Sequence, residues 1–409
     1  MSGSHTSERN QNRLYHDLLL GEETQRIREE VRAFAELEIA PLAYDIGQRE
    51  ESRANFPFAL FKAMAKAGLF RIPFSSEVGG RGLKNPVAAT AVAIEEISYF
   101  SNSVAAIYDV HCVLAGNALK DTSPELRQRY LDPLLSGEKI GAFATTEPEA
   151  SSDISVQSVR TVADRDGDGF RINGTKRFIT NAPVADFVVV LCRTDNTLTE
   201  FIVDLSAQGV TVFAPDQKLG NRGQLTADIH FDDVRVSSDN IVGEPGKGLR
   251  IALATLTHGR IGIAASGVGM AQSAFDEATN HLIRRRAFGK ALAQFQYWQF
   301  KMAEYATRIE NARNLYTKAA LRLDSGIEFP EPEVAMAKYY CTGLACDIAR
   351  DGIQIFGGYG FMRRLSRDGS TYKVEEIYRD SKVAEIYEGT NEIQKWVIAR
   401  AIFGKDLTG

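Results

Sequence analysis

Close to its end the chain carries Arg379-Asp-Ser-Lys-Val-Ala-Glu-Ile-Tyr-Glu-Gly-Thr-Asn-Glu-Ile-Gln394, which sets Glu388 directly before Gly389. A carboxylate can serve as a general base, and a glycine beside it lets a ligand come close to the backbone. The same pair also describes a solvated helix end, so Tyr387-Glu-Gly-Thr390 by itself leaves catalysis and helix termination both open. Other candidates are weaker. Asp164-Arg-Asp166-Gly-Asp168-Gly169 copies the first half of a calcium-binding EF-hand loop, but Thr175 stands at the twelfth position, where a bidentate Glu is required, and strands flank it. A hairpin turn is the reading adopted. Gly357-Gly-Tyr-Gly360 follows a helical pattern and not a strand, which argues against a dinucleotide fingerprint. Arg284-Arg-Arg286 is short enough to be a solvated face. His111 is read as a packing residue, and Cys112, Cys192, Cys341 and Cys346 form no CxxC pair, so buried thiols are expected and neither zinc nor a disulfide framework is.

The elements that must position Glu388 fall into three stretches. Residues 21–139 read as helical: Ile27, Val31, Phe34 and Ala35 recur at helical spacing, as do Phe58, Phe61, Met64 and Ala65, and Val87 to Ile97 is apolar enough for a buried helix. Residues 140–243 change to short β-rich runs, at Phe170–Ile172, Phe187–Leu191, Phe201–Val203, Val210–Phe213 and Ile229–Phe231, as in a compact, mostly antiparallel β-domain. Residues 244–409 return to helical periodicity, with Leu249–Ile283, Phe295–Ser325 and Val334–Phe356 as long helices of a bundle. The first 20 residues form a polar tail in which Met1–Asn10 lacks the apolar core of a secretory signal. The 409 residues are 44% hydrophobic and 25% charged, and the net charge of -5 gives no reason to expect nucleic acid. No apolar run is long enough for a membrane span, so a cytoplasmic location is expected.

Helices, then strands, then a bundle is the order of the acyl-CoA dehydrogenases, and separate motifs carry the resemblance from about residue 20 to 405. Phe143-Ala-Thr-Thr-Glu-Pro-Glu-Ala-Ser-Ser-Asp153 resembles that family's TEPxAGSD loop, and Lys176-Arg-Phe-Ile-Thr-Asn181 its second flavin segment. Lys218-Leu-Gly-Asn-Arg222 and Phe231-Asp-Asp-Val-Arg-Val236 are similar to the end of its β-domain, and Gly259-Arg-Ile-Gly-Ile-Ala264 to the start of its bundle. Arg285-Arg-Ala-Phe288-Gly289 with Phe295-Gln296 resembles the flavin contact made by a neighbouring subunit, and Gln354-Ile-Phe-Gly-Gly358 with Tyr387–Thr390 completes the set.

The resemblance implies an α+β fold, mostly α, with an N-terminal helical domain, a middle antiparallel β-domain and a C-terminal four-helix bundle. It implies FAD as cofactor, no metal, and α,β-dehydrogenation of an acyl thioester: a carboxylate takes the α-proton while a hydride leaves the β-carbon for flavin N5. An α-proton beside a thioester is only feebly acidic, so the reaction needs a placed base, donors at the thioester oxygen and an electron sink. The resemblance makes Glu388 the base. Some members carry the base on the bundle helix just before the arginine matching Arg260; here that place is Gly259. Phe143, Thr145, Thr146 and Ser152 are implied at the pyrimidine end of the flavin, Phe178 and Thr180 against its ring system, and Arg285, Phe288, Gln296, Gln354 and Gly358 at the pyrophosphate and adenosine across a subunit boundary, with Thr390 and Glu392 closing the site. Ser152, Arg260, Tyr387 and Gly389 are implied at the substrate. The acyl pocket is expected between Tyr387 and the Val87–Ile97 helix. A homotetramer, or at least a dimer, and an electron-transferring flavoprotein or equivalent acceptor follow as partners.

This sequence departs from the pattern in three places. Ser151 replaces the glycine of TEPxAGSD, Thr257 stands where many members have Asp, and Met362 to Tyr378 is longer and more basic than usual. That basic segment admits a second reading, in which an acidic carrier protein and not CoA bears the acyl or aminoacyl group; a solvated surface loop is the plainer one. An acyl-CoA oxidase and a non-catalytic flavin-binding relative are the remaining alternatives.

Overall fold

A computed structural model describes residues 19–408; the polar opening Met1–Asn10 lies outside them. Helix α1 (Glu22–Phe34) passes through a wide turn at Ala35–Ile39 into α2 (Ala40–Gln48), followed by α3 (Phe58–Lys66) and the almost wholly buried α4 (Pro86–Phe100). Pro86 starts α4 at a position that needs no backbone donor, and the paired Val87 and Ala88 N–H groups donate to Asp324. A short α5 (Asn102–Tyr108), capped by the Ser101 hydroxyl, runs into a π-helical stretch at Asp109–Gly116 in which every residue is buried. His111 sits there as a joint: its Nε2–H donates to Leu134 O, which leaves Nδ1 to accept the Gly141 N–H. Burial pushes its imidazole down to about 3, so the neutral tautomer that makes both bonds persists.

The strands are β1 (Gly141–Ala144), β2 (Val162–Asp166), β3 (Gly169–Thr180), β4 (Phe187–Thr194), β5 (Thr197–Asp204), β6 (Val210–Val212), β7 (Thr226–Ser237) and β8 (Ile241–Val242). They form one sheet in the order β6-β7-β3-β2-β4-β5-β8, with β1 also on β4. The long pairings β3–β7 and β4–β5 are antiparallel as expected, but β4 takes both β1 and β2 in parallel, so the sheet is mixed. The Asp166↔Gly169 register confirms a hairpin where the EF-hand pattern begins. β4 is buried on both faces because its alternate residues serve two cores: Val188, Val190 and Cys192 face the interior of the β-domain, while Phe187, Val189 and Leu191 meet Leu131, Leu134 and Leu114 of the helical region.

The bundle consists of α6 (Gly248–Arg284), α7 (Gln296–Asp324), α8 (Glu333–Phe356), α9 (Val374–Ala384) and α10 (Asn391–Phe403), with a two-stranded hairpin, β9 (Arg286–Ala287) and β10 (Lys290–Ala291), between α6 and α7. Small residues along α6, among them Gly262, Ala264, Gly267 and Ala271, allow α4 and α8 to pack against it at close range. Buried Glu95 of α4 accepts from Arg28 of α1 and from Arg313 of α7, tying the N-terminal helices to the bundle. Among the described residues no helix is long and apolar enough to cross a membrane.

Candidate active site

Glu388 lies in the short connection between α9 and α10. Both Glu388 (φ 54°) and Gly389 (φ 87°) are left-handed, a costly conformation for a residue with a side chain. Three bonds enforce it. Arg260 Nε donates to Glu388 O (3.1 Å), and Gly389 O accepts from Lys338 Nζ (2.9 Å) and Gln394 Nε2 (3.0 Å). Arg260, expected at the substrate, is thus a clamp on the backbone of the base, with a second contact to Glu331 at 3.5 Å. Thr390, expected at the flavin, caps α10 by accepting the Ile393 N–H, and Glu392 is exposed in the first turn of that helix.

The turn aims the Glu388 side chain at α6, where Gly259 leaves room for it: a Cβ on Gly259 would overlap the carboxylate. Burial pushes Glu388 up to about 7, against the pull of the neighbouring Asp109 carboxyl and the charges of Lys338 and Arg260. Lys338 is itself pushed down to about 7 by burial, against the raising effect of Glu388.

A cavity of about 500 Å³ lies between α4 and α6, with Val87, Thr90 and Ala91 of α4 facing His258, Ile261 and Gly262 of α6. The α4 side is where an acyl pocket was expected. Tyr387 instead packs against the main helical core and buries its hydroxyl. Burial, followed by the charge of Lys120, holds His258 near 3, so it faces the cavity uncharged. Thr257 donates to Leu253 O of its own helix.

The segments expected at the flavin ring are bonded to one another. Lys176 Nζ donates to Thr145 O (3.1 Å) and Glu147 Oε1 (2.8 Å), and Arg177 N donates to Thr146 O (2.8 Å). Glu147 also accepts the Arg160 and Thr161 N–H groups. Gln224 Nε2 donates to Thr180 Oγ1, Asn221 N to Asp380 Oδ1, and Asn102 Nδ2 to Asn221 Oδ1. The Thr180–Gln224–Asn221–Asp380 bonds thus connect the β-domain with the helix that leads to Glu388. Phe143 is buried at the end of β1, and Ser152 is exposed beyond it. At Phe178 a bulge in the β3–β7 register and a φ of 59° turn the ring outward, leaving it 64% exposed. A strained aromatic face held open beside two anchored backbone segments fits a flat conjugated ring.

Arg285, Phe288, Gln296, Gln354 and Gly358 lie elsewhere. Arg285 follows the last residue of α6, 25 residues beyond Arg260, which is roughly 38 Å along the helix at about 1.5 Å per residue. Arg285 and Gly358 share a separate cavity of about 450 Å³ with His281, Tyr359, Met362 and Leu365. Gln296 and Gln354 are exposed, and Phe288 stands at the tip of the β9–β10 hairpin, 95% exposed at φ 50°. A single chain does not bring these residues to Glu388. The basic Met362–Tyr378 segment belongs to this distant end: Met362 and Leu365 line its cavity, Arg363 bonds Tyr44 and Gln48 of α2, and Val374 already begins the buried side of α9.

Sequence reasoning missed Asp109 and Lys338 beside Glu388 and Glu331 beside Arg260, all brought there by distant parts of the chain. Asp109 carried a usable signal, a lone acid within the apolar run Val104–Leu114. No group of described His, Cys, Asp or Glu residues is disposed to hold a metal ion.

Residues 21–138, 142–234 and 246–403 match, in order, the N-terminal, middle and C-terminal domains of acyl-CoA dehydrogenase. The chain is 39% identical over 393 residues to a short-chain specific acyl-CoA dehydrogenase of Clostridium acetobutylicum, covering 95% of this chain and 100% of that one. The butyryl-CoA dehydrogenase structure from Megasphaera elsdenii superposes with a TM-score of 0.86 at 32% identity, covering 95% of this chain and 100% of that one. A glutaryl-CoA dehydrogenase from Mycobacterium smegmatis in complex with FADH2 gives 0.86 at 25% identity, over 95% and 96% of the two chains.

Proposed function

The chain belongs to the acyl-CoA dehydrogenase family, and from that premise we propose that it desaturates a short acyl-CoA thioester between its α- and β-carbons, with Glu388 taking the α-proton. It is an FAD-dependent oxidoreductase acting on a CH–CH group. Bound FAD supplies the acceptor for the hydride that leaves the β-carbon. Phe143, Thr145, Thr146, Ser152, Phe178 and Thr180 would hold its ring end, and Arg285, Phe288, Gln296, Gln354 and Gly358 of a second subunit its far end. The roughly 38 Å between Arg260 and Arg285 supports this division, because one dinucleotide does not span it. The assembly is therefore at least a dimer, with a homotetramer the natural closed form, and an electron-transferring flavoprotein is the acceptor that reoxidises it.

The chain's own residues do the rest. The α4–α6 cavity receives the acyl group and shields it from water, while Gly389, with no Cβ, lets the thioester approach the turn, where the Glu388 N–H is placed to donate to its oxygen. Arg260, Lys338 and Gln394 hold the turn so that the Glu388 carboxylate meets the α-carbon. The observation that carries this reading is the Glu388 carboxylate, its Oε2 buried and unpaired, fixed by a strained turn against Gly259 of α6, next in sequence to His258, which lines the α4–α6 cavity. The short acyl class rests on the short-chain and butyryl-CoA relatives. The basic Met362–Tyr378 loop stands at the Arg285 end, away from the acyl cavity, so CoA is favoured over a carrier protein as the thioester handle. The test is Glu388→Gln assayed with butyryl-CoA and an artificial acceptor: turnover should fall at least 10²-fold while FAD stays bound, and parental turnover would overturn the reading.

A further inference from the structure

Asp109 is a buried acid that the proposed chemistry does not call on. It comes from the π-helical stretch after α5, more than 270 residues from Glu388 in sequence, yet the two carboxyl groups lie within hydrogen-bond reach of each other. α6 makes the meeting place. Gly259 and Gly262 stand one helical turn apart on the same side, and a Cβ on the first would overlap the Glu388 carboxylate while a Cβ on the second would overlap that of Asp109. Ile94 and Leu114 complete the apolar wall. No N–H or O–H of the described residues donates to either Asp109 oxygen or to Glu388 Oε2.

Two ionised carboxylates are acceptors only, and two such charges facing each other in an apolar notch with no protein donor between them are strongly disfavoured. We propose that Asp109 is a positioning residue that keeps one proton at working pH and donates it to the Glu388 carboxylate, fixing the orientation of the base and the pH at which it ionises. This rests on Glu388 being the base. In the reaction the α-proton passes from carbon to Glu388, Asp109 retains its own, and the pair goes from one proton to two with no further reactant.

The surrounding groups agree with this assignment. From α6 and α8 the pair is faced by Arg260 and Lys338, both of which favour an ionised Glu388. Tyr387 on the catalytic turn, and Tyr108 and Cys112 on Asp109's own stretch, are all driven up by burial and hold their protons. Asp109 is driven well above the usual carboxylate range, first by burial and then by the Glu388 charge, so the shared proton resides on Asp109.

The test compares Asp109→Asn, whose amide can still donate, with Asp109→Leu, which cannot. With the FAD-loaded enzyme and butyryl-CoA, the acidic limb of the rate profile should stay near its parental position in D109N, whatever the plateau rate, and move up by about one pH unit or more in D109L. At pH 6 that is about a tenfold difference between the two, each rate taken relative to its own plateau. Limbs that shift equally in both variants, in either direction, or in neither, overturn the proposal. A second readout needs no turnover. The infrared difference spectrum of parent minus D109N at pH 8 should contain the carbonyl stretch of a protonated carboxylic acid, and its absence overturns the proposal even if D109L fails to fold. Because that band is independent of catalysis, its presence beside a fully active Glu388→Gln enzyme would sink the assignment of the base while leaving the shared proton intact.

Discussion

Gly259 of α6 and Glu388 of the α9–α10 turn occupy complementary space: the hydrogen on the Gly259 α-carbon is the largest substituent the Glu388 carboxylate leaves room for. A base carried just before the bundle arginine is therefore sterically exclusive with the Glu388 carboxylate in this position. Gly259→Ala should leave FAD bound and the fold intact but displace the carboxylate, lowering kcat by roughly 10²-fold, the usual cost of misplacing a reacting group by about an ångström. Steady-state kinetics beside a flavin spectrum check it.

The rate should depend on pH through Glu388. The base must be ionised, so activity is present above about 7 and lost as pH falls through that value. Stability carries the opposite sign. Burial favours the neutral acid, so its contribution is full below the unfolded carboxyl value of about 4.3 and is lost as pH rises to about 7. Glu388→Gln should therefore melt higher than the parent at pH 8 and lose that advantage near pH 5, as thermal melts at the two pH values would show.

Arg260→Lys should not rescue Arg260→Ala. The contact to Glu388 O comes from Nε while the rest of the guanidinium reaches Glu331, and a lysine cannot serve both directions. Both variants should lose roughly tenfold or more in kcat, with KM for the acyl-CoA changed much less, which separates a clamp on the base from a substrate ligand.

Arg313→Leu takes from buried Glu95 the partner of its Oε1 and leaves it Arg28 and Tyr316; its carboxyl is held down to about 2, where the charges of Arg313 and Arg28 outweigh its burial. Removing one of the two arginines should destabilise the protein by up to about 3 kcal/mol, and a Glu95→Leu, Arg313→Leu double variant, in which Arg28 keeps Glu96, should recover part of it. Chemical denaturation of the three proteins reads both effects. In the parent, the contribution of Glu95 is present above about 4.3 and lost as pH falls through about 2.

Phe288→Ala should cost a single chain no more than about 0.5 kcal/mol, because the ring stands in solvent at the hairpin tip. If a second subunit's FAD lies against it, the variant should lose cofactor on gel filtration. Unchanged FAD stoichiometry would remove Phe288 from the cofactor site.

The sequence by itself determined the order of the architecture and singled out Glu388 as the candidate base. Helical periodicity outlined α4, α6, α7 and α8 to within a few residues because each buries a broad apolar face. It did not show β1, whose Gly-Ala-Phe-Ala has no strand signal and is extended only because β4 offers a buried parallel edge. Nor did it show that Arg260 clamps the turn and Thr390 caps α10, or that Asp109 stands against Glu388. Those relations join residues from some fifty to nearly three hundred positions apart, or hinge on the direction of one side chain, and local preference carries no information about either. Packing decided them: two glycines one turn apart on a buried helix leave a single notch in the core, and the two acids that fill it come from opposite ends of the chain.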